Sequence, residues 1–203
     1  MRGLFRIISF LFHPLVLPLY GFTILVAANP SEFFYHARPI NILRQFAFNA
    51  VLFPMFTLLL LIALGFVRDV YMAERRQRIA PLITTMFFYS WAFVMFSMRE
   101  GIPGSINYLT LGSLIAVSVA LLVTVAAYKV SLHTLGMGVL MGLTLLMAVR
   151  AERDILLLLL ATIIAAGWVG TSRLVLGQHT HREVYSGYLF GVVSQFAAFL
   201  FLG

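Results

Sequence analysis

The sequence predicts an all-α fold, a multi-pass transmembrane helical bundle of six to seven spans. Of its 203 residues, 62% are hydrophobic and only 10% are charged, where soluble domains carry about a quarter charged residues. Apolar stretches of about 20 residues recur along the chain, each long enough to cross roughly 30 Å of hydrocarbon as a helix. The stretches are continuous rather than alternating, which excludes a transmembrane β-barrel.

Seven candidate spans follow in order, at roughly 5–28, 45–67, 81–98, 106–128, 131–149, 155–171 and 185–202. The first begins with the basic opening of a signal peptide. Its apolar run continues to about Ala28 with no small-residue cleavage site, so it reads as a retained helix. The second and fourth rest on length and apolar composition. Pro81 opens the third, since proline is tolerated in a first helical turn. Gly136, Gly138 and Gly142 in the fifth read as close packing through small residues. The sixth is almost devoid of polar side chains. The seventh follows Thr180-His181-Arg182-Glu183, a capping-box pattern with Thr180 as N-cap and Glu183 at the third helical position. No linker, low-complexity tract or repeat interrupts the chain, and 1–203 reads as a single integral membrane domain.

There is no cysteine, which removes disulfides and thiolate chemistry. The formal net charge of +7 could serve nucleic acid in a soluble protein. In a membrane chain, basic residues fix topology or hold lipid phosphates, and no nucleic-acid partner is expected. With seven spans, the N-terminus and the polar connections at 68–81, 128–133 and 172–187 share one side of the membrane. Polar groups at membrane depth are expensive and persist mostly where they do work. The opposite side carries Glu32, Arg150, Glu152 and other charges close to balance, which read as solvated loop charges.

Each connection on the first side offers chemistry. His179 lies just outside the last helix, close enough to Glu183 to give it a hydrogen bond from one ring nitrogen. That bond fixes the tautomer and frees the other nitrogen as a nucleophile or base. Arg173 and Arg182 flank a helix N-terminus, a ready site for phosphate oxygens. Lys129 and His133 are four residues apart and share a face if the helix begins there. Lys129 offers a point charge and Ser131 a hydroxyl or N–H, while protonated His133 can act as an acid toward a leaving alkoxide. Among Arg75, Arg76 and Arg78, beside the third span, Arg75 and Arg78 are the phosphate-binding candidates. Glu74 and Arg78 are spaced as an i,i+4 pair. His13, alone before Pro14, reads as structural.

These residues resemble the type 2 phosphatidic acid phosphatases (PAP2), over a core of about 74–203. The third motif of that family has the form S-R-x5-H-x3-D-V-x2-G-x3-G. Here it reads Ser172-Arg173, five residues, His179, three residues, Glu183-Val184, two residues, Gly187, three residues, Gly191. Glu for Asp is the one change. The P-S-G-H of the second motif is Val130-Ser131-Leu132-His133 here, and of K-x6-R-P in the first motif only Arg78 and Pro81 remain. The resemblance implies His179 as the nucleophile that forms a phosphohistidine, Glu183 as its orienting group and His133 as leaving-group acid. It implies Arg173, Ser131 and Arg78 around the phosphate, with no metal and no cofactor. It also implies a lipid phosphate monoester or prenyl diphosphate as substrate, bilayer lipids as partners, and a site on the periplasmic face of a bacterial inner membrane.

Two other readings stand beside it. A metal-dependent hydrolase would use His179, His181, Glu183 and His133, although His181 should point away from His179 as the helix starts. A catalytically inactive PAP2-like protein would keep the pocket for lipid binding or transport.

Overall fold

The computed structural model describes residues 2–36, 39–70, 72 and 74–203. Among these, every regular element is helical, and six helices are long and apolar enough to cross a membrane. In one of them α4 (Pro39–Ala47), a π-helical turn (Phe48–Leu52) and α5 (Phe53–Ala63) run on as a single span of 25 residues. Pro54 has no N–H to give to Ala50, and the ladder widens just ahead of it, with Phe53 N–H bonding the Phe48 carbonyl. A 3₁₀ turn (Arg75–Arg78) leads into α6 (Ile79–Ser97), with Pro81 in its first turn. The remaining spans are α7 (Ser105–Val125), α8 (Leu132–Arg150), α9 (Leu156–Val175) and α10 (His181–Leu202).

The expected continuous span at 5–28 is corrected. It is two helices, α1 (Arg2–Leu11) and α2 (Leu17–Ala28), joined by a turn over 12–16. Pro14 disfavours helical backbone at His13 and donates no N–H, while Pro18 is harmless in the first turn of α2. Twelve residues at about 1.5 Å each fall short of roughly 30 Å of hydrocarbon. α2 still runs from one end of the bundle toward the other, Leu17 lying against Gly136 and Asn29 meeting Glu152. After α2, the short α3 (Pro30–His36) leads toward α4. α1 buries Ser9 and exposes Leu4, Ile7 and Phe10, a helix with an apolar outer side suited to the membrane boundary.

The closest approach in the bundle is between α8 and α10. A methyl group placed on Gly191 would lie 2.2 Å from the Leu135 carbonyl oxygen and 2.7 Å from the Val139 nitrogen. On Gly138 it would meet the Tyr188 carbonyl oxygen at 2.5 Å, and on Gly187 the Ser131 carbonyl oxygen at 2.9 Å. These glycines let two backbones touch, the arrangement small residues provide in lipid. The paired glycines of the last motif therefore hold α10 against the start of α8.

Large apolar side chains turn outward on the spans, among them Phe56, Leu157, Trp168 and Leu200. That pattern would be a liability in water and fits a hydrocarbon solvent. The order of the spans brings the end of α7, the start of α8, the end of α9, the start of α10 and the 3₁₀ turn to one end. α1 is seated at that same end.

Candidate functional site

The segment from Arg173 to Glu183 is shaped by two helix ends. α9 closes with Gly177 at φ +67°, while Gly177 N–H bonds the Leu174 carbonyl and Gln178 N–H the Arg173 carbonyl. This is a Schellman closure. Two residues later the capping box begins α10, with Thr180 Oγ1 accepting Glu183 N–H at 3.4 Å and Glu183 Oε2 accepting Thr180 N–H at 3.3 Å. The five-residue interval between Arg173 and His179 is thus one helix stop and the approach to the next start.

His179 Nδ1–H donates to Glu183 Oε2 at 2.7 Å, and its side chain is only 5% exposed. The carboxylate fixes the proton on Nδ1 and leaves the Nε2 lone pair free. Burial pushes the imidazole pKa down to about 4; the Glu183 bond opposes that, and the charges of Arg78 and Lys129 add to it. The ring is therefore neutral at physiological pH. The unfolded chain takes up this proton near 6.5 and the folded chain only near 4, so His179 lowers stability as pH falls from 6.5 toward 4. An imidazole ¹⁵N titration of the folded protein should place the His179 midpoint near 4; a midpoint near 6.5 would contradict this environment.

The second segment is stitched to the first. Lys129 Nζ donates to the Gln178 carbonyl at 3.2 Å, and Ser131 N–H donates to the Glu183 carbonyl at 3.2 Å. Burial lowers the Lys129 pKa, Arg78 lowers it further and Glu183 raises it. Ser131 is the N-cap of α8 and fully buried, its hydroxyl accepting from Thr134 N–H at 3.5 Å. The third segment contributes Arg78, 6% exposed. Its Nη1 donates to the Val130 carbonyl at 2.9 Å and its Nε to the Met72 carbonyl at 3.0 Å. Arg173 is 4% exposed, its Nη1 donating to Gln178 Oε1 at 2.8 Å while its Nε has no partner. A buried guanidinium N–H left unpaired is costly, and an anion would satisfy it.

Sequence reasoning missed a fourth segment. His133 Nε2 donates to the Ser9 carbonyl at 3.2 Å, and Ser9 Oγ lies 3.3 Å from Ser172 Oγ. The His13 ring stands edge-on to His133 with centroids 5.5 Å apart, and its Nδ1 accepts Leu15 N–H at 3.3 Å. The residues preceding α2 therefore hold His133, and the only signal was the proline break that lets the chain fold back.

Several expected pairings are corrected. Lys129 and His133 do not share a helical face, because Ser131 caps α8 and leaves Lys129 in the preceding extended chain. Glu74 pairs with exposed Arg68 at 2.6 Å instead of Arg78, which is drawn inside by backbone carbonyls. Arg75 bonds the Thr124 carbonyl and, at 3.5 Å, that of Val125, so it caps the end of α7. His181 stacks on Tyr185 with ring centroids 6.3 Å apart, and Arg182 is exposed. Among the described residues no three His, Asp or Glu side chains are grouped to hold a metal ion.

Replacing Glu183 with Ala removes both the capping carboxylate and the partner of His179. It should cost about 1 kcal/mol through the cap alone, read as a lower melting temperature, whereas Arg182→Ala should change little. No protein-family model matches the chain, and no curated protein or solved structure matches it either.

Proposed function

We propose that this is a metal-independent membrane lipid phosphatase acting through a phosphohistidine at His179, on a lipid phosphate monoester or a prenyl diphosphate. The observation that carries the reading is the His179–Glu183 bond of 2.7 Å on a neutral ring beside two buried arginines, Arg78 and Arg173. In the first step the His179 Nε2 lone pair bonds phosphorus as the P–O bond to the lipid breaks. The departing oxygen takes a proton from His133. Because His133 Nε2–H is committed to the Ser9 carbonyl, that proton comes from Nδ1 of the imidazolium form of His133, which is left neutral. Water then displaces the phosphoryl group, the P–N bond breaks, phosphate leaves and the water's proton returns to His133.

Charge spreads over the phosphoryl oxygens in the transition state, and donors fixed in advance stabilise it. Arg173, with its unpaired Nε, Arg78 and Lys129 fill that role, and the Ser131 hydroxyl, buried as the cap of α8, joins them only once α8 shifts. Arg75 is not used, since its guanidinium holds α7. The apolar surroundings favour an amphiphilic substrate. The resemblance to the PAP2 family further supports a bacterial inner-membrane location with the site on the periplasmic side.

A second reading is an inactive lipid-binding or transport protein of the same ancestry, and one observation favours it. Ser131 is fully buried and spent as a helix cap, so α8 must shift before its hydroxyl meets a phosphate. Phosphate release from a panel of lipid phosphates and prenyl diphosphates, with EDTA present, separates the readings. Release in EDTA supports the phosphatase. Lipid binding by folded protein without release from any substrate supports the second reading.

A further inference from the structure

At the end of the bundle away from His179, α3, α7, α8 and α10 leave an open cavity of about 710 Å³. Its wall is built by contacts between segments. Glu32 Oε1 accepts Ser105 N–H at 3.0 Å at the start of α7. The Glu152 carboxylate accepts Ser31 N–H at 3.2 Å and the Ser31 hydroxyl, while Glu152 N–H donates to Asn29 Oδ1 at 3.1 Å. Arg150 lies over the Phe199 ring, 4.4 Å from its centroid, with Nη1 at 3.5 Å from the Tyr108 hydroxyl.

Two oxygens in this wall have no partner: Ser105 Oγ, on a residue 5% exposed, and Asn107 Oδ1. Buried polar atoms are nearly always paired, so each such orphan asks for an unseen donor. The ionic side chains of the wall are Glu32, Glu152 and Arg150, an excess of negative charge with one fixed cation. A ligand that answers all of this carries N–H donors on a positive centre and an anion close by. A primary ammonium supplies three donors, and a phosphate suits the Arg150 guanidinium. The cavity also sits where the spans end, with Met147 and Leu202 as apolar wall, at the level of lipid headgroups.

We infer that this cavity is a binding site for the ammonium–phosphate headgroup of an aminophospholipid. The ammonium donates to Ser105 Oγ, Asn107 Oδ1 and Glu32, and the phosphate meets Arg150. The site is independent of the His179 cluster, and its existence does not require the protein to be a phosphatase. Charges that read from sequence as solvated loop residues become its recognition groups.

The test is native mass spectrometry of the full chain, delipidated and re-equilibrated with phosphatidylethanolamine, phosphatidylcholine or phosphatidylglycerol of matched acyl chains. Retention of phosphatidylethanolamine at least tenfold above phosphatidylcholine is expected, since choline has no N–H. Ser105→Ala with Asn107→Leu should erase that preference. Equal retention of the three lipids by the wild-type protein would overturn the site without recourse to any variant. Free O-phosphoethanolamine is the remaining arm. Failure to displace the lipid at equal concentration supports the lipid source, and displacement at that concentration overturns it in favour of a soluble amine phosphate.

Discussion

A His179→Ala protein is expected to fold and to lose phosphate release by on the order of 10⁴-fold or more, the scale seen when a covalent nucleophile is removed. His179 lies outside α10, and the capping bonds between Thr180 and Glu183 do not involve its ring, so the helix start survives the substitution. What disappears is the Nε2 lone pair that Glu183 frees by holding Nδ1–H at 2.7 Å. Thermal melting of the variant near the wild-type temperature, together with lost release, assigns the defect to chemistry. Release at the wild-type rate would remove His179 from the mechanism.

The second large effect does not depend on the reaction. Gly191→Ala should destabilise the fold by about 3 kcal/mol, the upper part of the range for overpacking. The added methyl meets the Leu135 carbonyl oxygen at 2.2 Å, the Val139 nitrogen at 2.7 Å and the Gly138 carbonyl carbon at 2.8 Å. All three are backbone atoms, and no rotamer change relieves them, so α8 and α10 must part. Parting them also stretches the Ser131 N–H bond to the Glu183 carbonyl, which joins the 128–133 and 172–187 connections. Gly167→Ala is the control. It sits in α9 with nothing within 4 Å of the added methyl, and alanine should gain up to about 1 kcal/mol of helix propensity there. Chemical denaturation of both variants in the same detergent would compare them, and equal stabilities would refute the close α8–α10 contact.

The parts of the molecule legible in sequence are those whose signal is local or set by length. Six spans follow from apolar runs, and the start of α10 follows from Thr180 and Glu183, because a capping box is written within four residues. The meeting of the 68–81, 128–133 and 172–187 connections follows from counting spans. What sequence could not supply are partners chosen by three-dimensional competition. Arg78 is four residues from Glu74, yet it turns to the Val130 and Met72 carbonyls, because buried backbone acceptors need a donor while exposed Glu74 is served by Arg68. His133 is four from Lys129, yet the cap at Ser131 divides them. His13 and Ser9 reach His133 across about 120 residues of chain, and only the fold-back at Pro14 permits it. Glu32, Arg150 and Glu152 looked like loop charges because the cavity they share is formed by segments far apart in sequence.

We propose that His179, oriented by Glu183, bonds phosphorus covalently without a metal. The most direct measurement is to mix the purified protein with a lipid phosphate in EDTA, quench in alkali within the turnover time, and map the phosphorylated peptide by mass spectrometry. An acid-labile, alkali-stable phosphoryl group on His179, formed in EDTA and absent from His179→Ala, is the expected result. Substrate turnover with no such adduct, or with the phosphoryl group on another residue, would contradict it.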